Sequence, residues 1–207
     1  MSINNTKKKI KNIIFDLGNT LVFFDHNIFY QGIARHEVFN VNHFKDYILK
    51  NKILDKLASG KMTHREAYNI LRKEFDLTIG FPEFVKTYQD IFWENTPMKD
   101  FLLEISKRNE HDLFLLSNVD KPHIDFVNKN YPYVNILKDR VLSYKARSIK
   151  PEGKIYRDLL KTHKIKPEES LFIDDMKENI ERAKKFGINS LHYTHHGKFL
   201  KDVRKYL

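Results

Sequence analysis

Short apolar runs without polar alternation occur at three widely separated places in the chain. They cover residues 13–15, 113–116 and 171–173, and small polar or acidic residues follow each run directly. Continuous apolar runs of this length are typical of strands buried on both faces of a parallel sheet. Ligands in such sheets lie beyond the carboxyl ends of the strands, so the polar residues after each run are candidate site residues.

Helical and strand patterns alternate from residue 97 onward. Apolar strand patterns at 112–118, 141–144, 171–174 and 189–193 are interleaved with helical patterns at 98–106, 122–130, 151–163, 177–186 and from about 197. Strands that alternate with helices indicate βαβ units. The pattern therefore predicts an α/β fold with a Rossmann-like parallel core sheet.

Residues 25–95 show only helical spacing. The helical patterns cover 28–39, 43–57, 64–75 and 82–93, with a capping box at Thr63 and Glu66 and a helix opened by Pro82. Trp93 and the phenylalanines are expected in the core of this helical region. The predicted organisation is a core domain of residues 1–24 and 96–207, with an inserted helical domain of residues 25–95.

Composition narrows the function classes. The 207 residues carry a formal net charge of +10 and contain no cysteine, which excludes disulfides, thiolate metal sites and a cysteine nucleophile. The lysines are scattered among acidic residues, with a run only at residues 7–9, so a nucleic-acid partner is not favoured. No apolar segment has the ~20 residues needed to cross a bilayer, and no signal-peptide pattern precedes the first strand. A cytoplasmic protein without a membrane partner is expected, and its oligomeric state is not predicted.

Four short motifs follow one another along the chain. They are the strand-end Asp16 with a Gly-Asn turn after it, Ser117-Asn118 at the end of the second apolar run, Lys150 before a proline, and the pair Asp174-Asp175. In this order and spacing they resemble the four motifs of the haloacid dehalogenase superfamily, over residues 11–179. The sequence around Asp16 is most similar to the glucose-1-phosphatase-like members of subfamily IA. The resemblance implies that residues 25–95 form a helical C1 cap over the active site.

The resemblance also implies a chemistry. A carboxylate can attack phosphorus only if the negative charges of both groups are screened. By resemblance, Asp16 is the nucleophile that forms an aspartyl-phosphate, and Lys150 screens it. Ser117 and the backbone of Asn118 would bind the phosphoryl oxygens. The implied metal ligands are Asp16, the Gly18 carbonyl, Asp175 and, as an auxiliary, Asp174, with Asn179 in the outer shell, and such an oxygen set suits Mg²⁺.

Gly18 departs from the superfamily pattern. Phosphatases of the superfamily usually carry there a second aspartate that protonates the leaving oxygen, and the loss of such a group costs ~10² to 10⁴-fold in rate. The expected function is an Mg²⁺-dependent phosphatase acting on a small phosphate ester, with sugar 1-phosphates favoured because their leaving group is more acidic. Asp25 or His26 from the adjacent hairpin could also reach the leaving oxygen. The alternatives are a weak or inactive binding or regulatory protein, and a non-phosphatase hydrolase such as a dehalogenase.

Overall fold

A computed structural model of the protein describes residues 9–37 and 39–207. Its central sheet has five parallel strands in the order β5-β4-β1-β6-β7, and β2 and β3 form a separate antiparallel pair. The strands are β1 (Asn12–Phe15), β2 (Val22–Phe24), β3 (Phe92–Glu94), β4 (Asp112–Ser117), β5 (Asp139–Leu142), β6 (Ser170–Asp174) and β7 (Asn189–His192). The predicted α/β fold with a parallel core sheet is confirmed.

Helices cover both faces of this sheet. A second group of helices lies between β2 and β3 in the chain. The second group consists of α1 (His26–Ala34), α2 (Val41–Lys50), α3 (Ile53–Ala58), α4 (His64–Phe75) and α5 (Phe81–Gln89). The helices that follow are α6 (Thr96–Arg108), α7 (Lys121–Asn130), α8 (Ser143–Ala146), α9 (Gly153–Thr162), α10 (Lys177–Lys185) and α11 (His196–Val203), with 3-10 turns at Pro132–Ile136 and Pro167–Glu169.

Every residue of the central strand β1 is buried, which explains its unbroken apolar run. Successive side chains of a strand point to opposite faces, so Ile13 and Phe15 join one apolar core and Ile14 joins another. On the first face the partners include Met98 and Leu102 of α6. The two cores hold the sheet rigidly between its helices.

Helices α1 to α5 share an apolar core of their own. Phe29 lies at its centre, with ring contacts to Phe44, Phe84 and Tyr88. The predicted capping box is present at the start of α4, where Thr63 and Glu66 satisfy each other's backbone N–H groups. The division into a core of residues 1–24 and 96–207 and a cap of residues 25–95 stays a prediction, and its residues 1–8 and 38 lie outside the described part of the chain.

Four sequence-based expectations were wrong in detail. The helix expected over 28–39 ends at Ala34. The helical pattern at 82–93 ends at Gln89, and β3 pairs with β2, which places Trp93 46% exposed beside Phe23. The helix expected over 43–57 is broken by Lys52, whose φ of 51° is left-handed. The strand expected over 141–144 ends at Leu142, and α8 begins at Ser143. The apolar residues at 92–94 fit either a helix or a strand, and the pairing of β3 with β2 decided between them.

No helix in the described ranges is both long enough and apolar enough to span a bilayer.

Candidate active site

The predicted reactive residues lie at one edge of the sheet. Asp16 directly follows β1, Ser117 is the last residue of β4, and Asp174 is the last residue of β6. β1 pairs in parallel with β4 on one side and with β6 on the other. The carboxyl ends of the three strands therefore bring these side chains together.

Lys150 reaches this edge from the loop before α9. Its Nζ atom lies 2.6 Å from Oδ1 of Asp16 and 2.6 Å from Oδ2 of Asp174, and the side chain is buried. The side chain of Asn118 holds the Lys150 backbone by accepting from its N–H at 2.7 Å and donating to its carbonyl at 2.9 Å. Burial by itself lowers the pKa of Lys150, but Asp16 and Asp174 outweigh it and raise that pKa above its ordinary value.

Asp174 is fully buried, and both oxygens of its carboxylate accept hydrogen bonds from the protein. Its Oδ1 accepts from the backbone N–H of Met176 at 2.8 Å and from Nδ2 of Asn179 at 3.0 Å. Its Oδ2 accepts from Nζ of Lys150 at 2.6 Å and from Asn179 at 3.1 Å. The residue thus fixes the position of the Lys150 ammonium group.

Asp175 lies next to this pair and is partly exposed. Its backbone carbonyl lies 2.8 Å from Nε2 of His192, which anchors the turn after β6. Within the part of the chain that the structure describes, Asp16, Asp174 and Asp175 are the group of acidic or histidine side chains close enough to share a metal ion. One oxygen of each lies within 4.8 Å of the others.

The electrostatics of this cluster favour a bound cation. Burial raises the pKa of Asp16 to about 7, and the charges of Asp174 and Asp175 add to this effect against the opposing effect of Lys150. Burial is the larger cause and the charge of Asp174 the smaller cause of a raised pKa at Asp175. Three carboxylates face one lysine, so the site holds an excess of negative charge. An all-oxygen donor set with that excess fits Mg²⁺.

Gly18, whose carbonyl is a predicted metal ligand, lies in the turn after Asp16. The following residue, Asn19, has a φ of 50°, and its side chain opposes the rise in the pKa of the nearby Asp175 carboxyl. A Cβ atom built on Gly18 would lie 2.5 Å from Cε1 of Phe24. The ring of Phe24 therefore occupies the space that the side chain of a longer residue would need.

A cavity of about 60 Å³ lies between this turn and the helices of the second group. Gly18, Ser117 and Asn118 line it on the side of the sheet, and His26 and His123 line it together with apolar side chains of Leu17, Phe24, Ile91, Phe92 and Val119. Asp25, the neighbour of His26, instead lines a groove on the outside of α1 and α5. Asp25 caps α1 by accepting from the N–H of Asn27 at 2.8 Å.

A buried polar network lies behind the cavity, around Asp120 at the start of α7. Oδ2 of Asp120 accepts from the Tyr88 hydroxyl at 2.5 Å and lies 3.3 Å from Nδ1 of His123 and 3.5 Å from Nε2 of His64. Nε2 of His123 donates to the Tyr88 carbonyl at 3.0 Å. Burial by itself raises the pKa of Asp120, but His123 and His64 outweigh it and hold that pKa well below its ordinary value. The network joins α4 and α5 to the loop after β4.

A family model matches residues 13–193, and its description is haloacid dehalogenase-like hydrolase. The chain belongs to this family. The match includes all four motifs, so the predicted superfamily and the predicted hydrolase class are confirmed.

Several relatives within this haloacid dehalogenase-like family have names or structures. A D-ribitol-5-phosphate phosphatase from Bacteroides thetaiotaomicron is 25% identical over 87% of this chain and 90% of its own length. A crystal structure of a HAD family enzyme of that species in complex with magnesium is 25% identical. It covers 94% of this chain and 99% of its own, with a TM-score of 0.79. A complex with magnesium and inorganic phosphate gives a TM-score of 0.71 at 25% identity, covering 88% of this chain and 93% of the other.

The site contains residues that the sequence did not point to. Asp120 and His123 follow the Ser117-Asn118 motif closely, and an acidic residue before a helix is a normal helix cap. Their partners, His64 and Tyr88, belong to α4 and α5. No local sequence pattern predicts the contacts of these two residues with Asp120. The roles predicted for the motif residues, the cytoplasmic location and the absence of a nucleic-acid partner stay predictions.

Proposed function

We propose that the protein is an Mg²⁺-dependent phosphatase that hydrolyses small sugar or polyol phosphates through an aspartyl-phosphate on Asp16. The observation that carries the proposal is the position of Nζ of Lys150, 2.6 Å from Asp16 and 2.6 Å from Asp174. A buried ammonium group in this position can screen the repulsion between an attacking carboxylate and a phosphate. The phosphatase name of the B. thetaiotaomicron relative supports the same reaction.

In the proposed reaction, Asp16 attacks phosphorus while Ser117 and the backbone of Asn118 bind the phosphoryl oxygens. Asp174 keeps Lys150 in place, and Asn118 holds the Lys150 backbone. Asp16, Asp175 and the Gly18 carbonyl would hold Mg²⁺, with Asp174 as an auxiliary ligand. When bound, the ion neutralises the charge of the phosphate and of the nucleophile. Water then hydrolyses the aspartyl-phosphate and releases inorganic phosphate.

The substrate class rests on two observations that favour different esters. Gly18 lacks a carboxylate for the leaving group, which favours sugar 1-phosphates with their more acidic leaving oxygen. The relative is named for a polyol 5-phosphate, whose leaving group is an ordinary primary alcohol. Only a few heavy atoms fit in the cavity beside Gly18, because about 60 Å³ is room for about four waters. Either class would place only its first carbons there.

The test is the release of inorganic phosphate from a panel of esters with Mg²⁺ present. The panel contains D-ribitol 5-phosphate, sugar 1-phosphates, sugar 6-phosphates and p-nitrophenyl phosphate, with a 2-haloacid as the probe for dehalogenase activity. We expect turnover of at least one sugar or polyol phosphate and no halide release. Halide release without phosphate release would instead identify a dehalogenase, and binding of phosphate esters without any turnover would identify the binding or regulatory protein.

A further inference from the structure

The cavity next to Gly18 contains a polar side chain that the proposed reaction has not yet used. His26 lines this cavity, and within the described residues its Nδ1 atom is buried without a hydrogen-bond partner. Buried polar atoms are normally paired, so an unpaired one beside a substrate pocket indicates a missing partner. The cavity also borders Ser117 and Asn118, which are the proposed phosphate-binding residues.

His123 lines the same cavity, but its nitrogens are engaged. Nδ1 of His123 faces Oδ2 of Asp120 at 3.3 Å, and Nε2 lies 3.0 Å from the Tyr88 carbonyl. The ring centroids of His26 and His123 are 6.0 Å apart. Of the two imidazoles that line the cavity, His26 is therefore the one that is available to a ligand.

The alternative proton donor, Asp25, lines the outer groove of α1 and α5 and is not among the residues that line the cavity beside Gly18. Its Oδ1 accepts from the backbone N–H and from the Nδ2 of Asn27, both at 2.8 Å, and the side chain lines the outer groove. A second, broader groove of about 590 Å³ borders Asp175 and Asn19, but its described lining includes neither Gly18 nor Ser117. The leaving group of a phosphate held at Ser117 thus has the cavity beside His26 as its nearest enclosed space.

We infer that His26 is the proton donor and acceptor for the leaving oxygen, in place of the carboxylate that Gly18 lacks. This inference rests on the proposed phosphatase function. Asp16 forms a bond to phosphorus, the bond from phosphorus to the leaving oxygen breaks, and its electron pair takes the proton of the His26 imidazolium. Water then attacks the phosphorus of the aspartyl-phosphate and gives one proton to the neutral imidazole. The bond between phosphorus and the Asp16 oxygen breaks, and its electron pair returns to Asp16. The released phosphate takes this proton from His26, so that the cycle consumes a phosphate monoester monoanion and water and produces an alcohol and dihydrogen phosphate.

The charge state of His26 depends on the substrate. Burial and, to a smaller extent, the charge of His123 lower the pKa of His26 to about 4. The charges of Asp120 and Asp25 oppose that shift. The free protein therefore keeps His26 neutral near neutral pH. A phosphate monoester monoanion brings one proton, and its negative charge beside the ring favours the imidazolium form. The proton that the leaving oxygen needs thus arrives with the substrate.

The first test compares leaving groups of graded acidity. We expect His26→Phe to lower kcat/KM by ~10²-fold or more for primary alkyl phosphates and to have little effect on p-nitrophenyl phosphate, because only the poor leaving groups need a proton. His26→Gln keeps a polar side chain and should show the same dependence if proton transfer is the role. His43→Phe, which changes an exposed histidine of α2, should leave the dependence unchanged. An equal loss across the series, or none, would overturn the assignment.

The second test does not depend on turnover. The ¹⁵N resonances of the His26 ring are followed while inorganic phosphate is added to the protein with Mg²⁺. We expect them to move toward the imidazolium values, while those of His43 stay in place. If no ester is hydrolysed by the wild type, the proposed function fails, whereas unmoved His26 resonances with phosphate bound would overturn the His26 assignment by themselves.

Discussion

The ring of Phe24 fills the space in which a side chain on Gly18 would begin. An ideal Cβ atom on Gly18 would lie 2.5 Å from Cε1 and 3.0 Å from Cδ1 of Phe24. The 2.5 Å contact is closer than real Cβ atoms approach, so the ring must shift before a side chain fits at position 18. The absence of a carboxylate at position 18 is therefore matched by the packing around it, and a carboxylate placed there requires the Phe24 ring to shift.

This packing leads to a prediction about restoring the missing acid. We expect Gly18→Asp by itself to give no gain for poor leaving groups, because Phe24 blocks the new side chain. Combined with Phe24→Ala in a His26→Phe background, Gly18→Asp should recover up to ~10²-fold for primary alkyl phosphates. Steady-state kinetics of the variants, with Phe24→Ala as the control, measure this. The steric explanation is wrong if Gly18→Asp alone gives the same recovery.

Asp16→Asn tests the nucleophile and the charge of the site together. We expect phosphatase activity to fall below a few per cent of the wild-type value, because an amide is a poor nucleophile. Asp158→Asn, which changes a carboxylate on α9 paired with Lys154, is the matched control. Activity that survives Asp16→Asn would exclude the covalent mechanism.

The same variant should change how stability depends on pH. The pKa of Asp16 is about 7 in the folded protein against an ordinary 3.8, so the folded state favours the protonated acid. Its stabilising contribution is full below about pH 4 and is lost as the pH rises through 7. In chelator, the free energy of unfolding of Asp16→Asn relative to that of the wild type should therefore be higher at about pH 8 than at about pH 5, on top of any pH-independent cost of removing a partner of Lys150. Urea unfolding at the two pH values measures the difference, and a larger gain at pH 5 would contradict it.

The two adjacent acids after β6 should have separable effects. Chelator should abolish turnover of the wild type. Asp175→Ala should raise the Mg²⁺ concentration needed for half-maximal activity ~10-fold or more with little change in stability, because Asp175 is partly exposed. Asp174→Ala should raise the metal requirement less but destabilise the fold by ~3 kcal/mol, because it removes a partner of the buried Lys150.

Metal titrations and thermal unfolding of both variants measure these effects. Glu178→Ala, an exposed acid in the first turn of α10, is the control. Unchanged activity of the wild type in chelator would refute the metal requirement. A larger metal effect for Asp174→Ala than for Asp175→Ala would reverse the assignment of the two ligands.

Asp120 should stabilise the junction of α4 and α5 with the loop after β4. Its pKa lies well below the ordinary 3.8 in the folded protein, so its contribution is present above about pH 4 and is lost as the pH falls through the folded value. We expect Asp120→Asn to cost ~3 kcal/mol at neutral pH and less in acid, and Tyr88→Phe to cost ~1 to 2 kcal/mol.

Urea unfolding at neutral and acidic pH measures this difference. Asp125→Asn is the matched control, because Asp125 lies one turn further along α7 and is exposed beside Lys121. A cost of Asp120→Asn that grows as the pH falls would show that His64 and His123 do not stabilise the carboxylate.

The sequence by itself determined the sheet and the edge on which the site lies. The apolar runs before Asp16, Ser117 and Asp174 are unbroken because their strands are buried on both faces. Since parallel strands end at the same edge, the three strand-end motifs could be placed together without knowledge of any contact between them, whereas Lys150 was placed there only by the family resemblance. The capping box before α4 was predictable for a similar reason, because a helix cap depends only on residues that are close in the chain.

Only the tertiary structure decided which groups complete the site. The packing of Phe24 over Gly18, the exposure of Trp93 and the placement of His26 inside the cavity with Asp25 outside it depend on how β2, β3 and α1 pack against the rest of the chain. The network of Asp120 with Tyr88 and His64 joins the start of α7 to α4 and α5, which lie more than 30 residues earlier in the chain. Such contacts have no local period, because their energy comes from residues that meet only when the chain has folded.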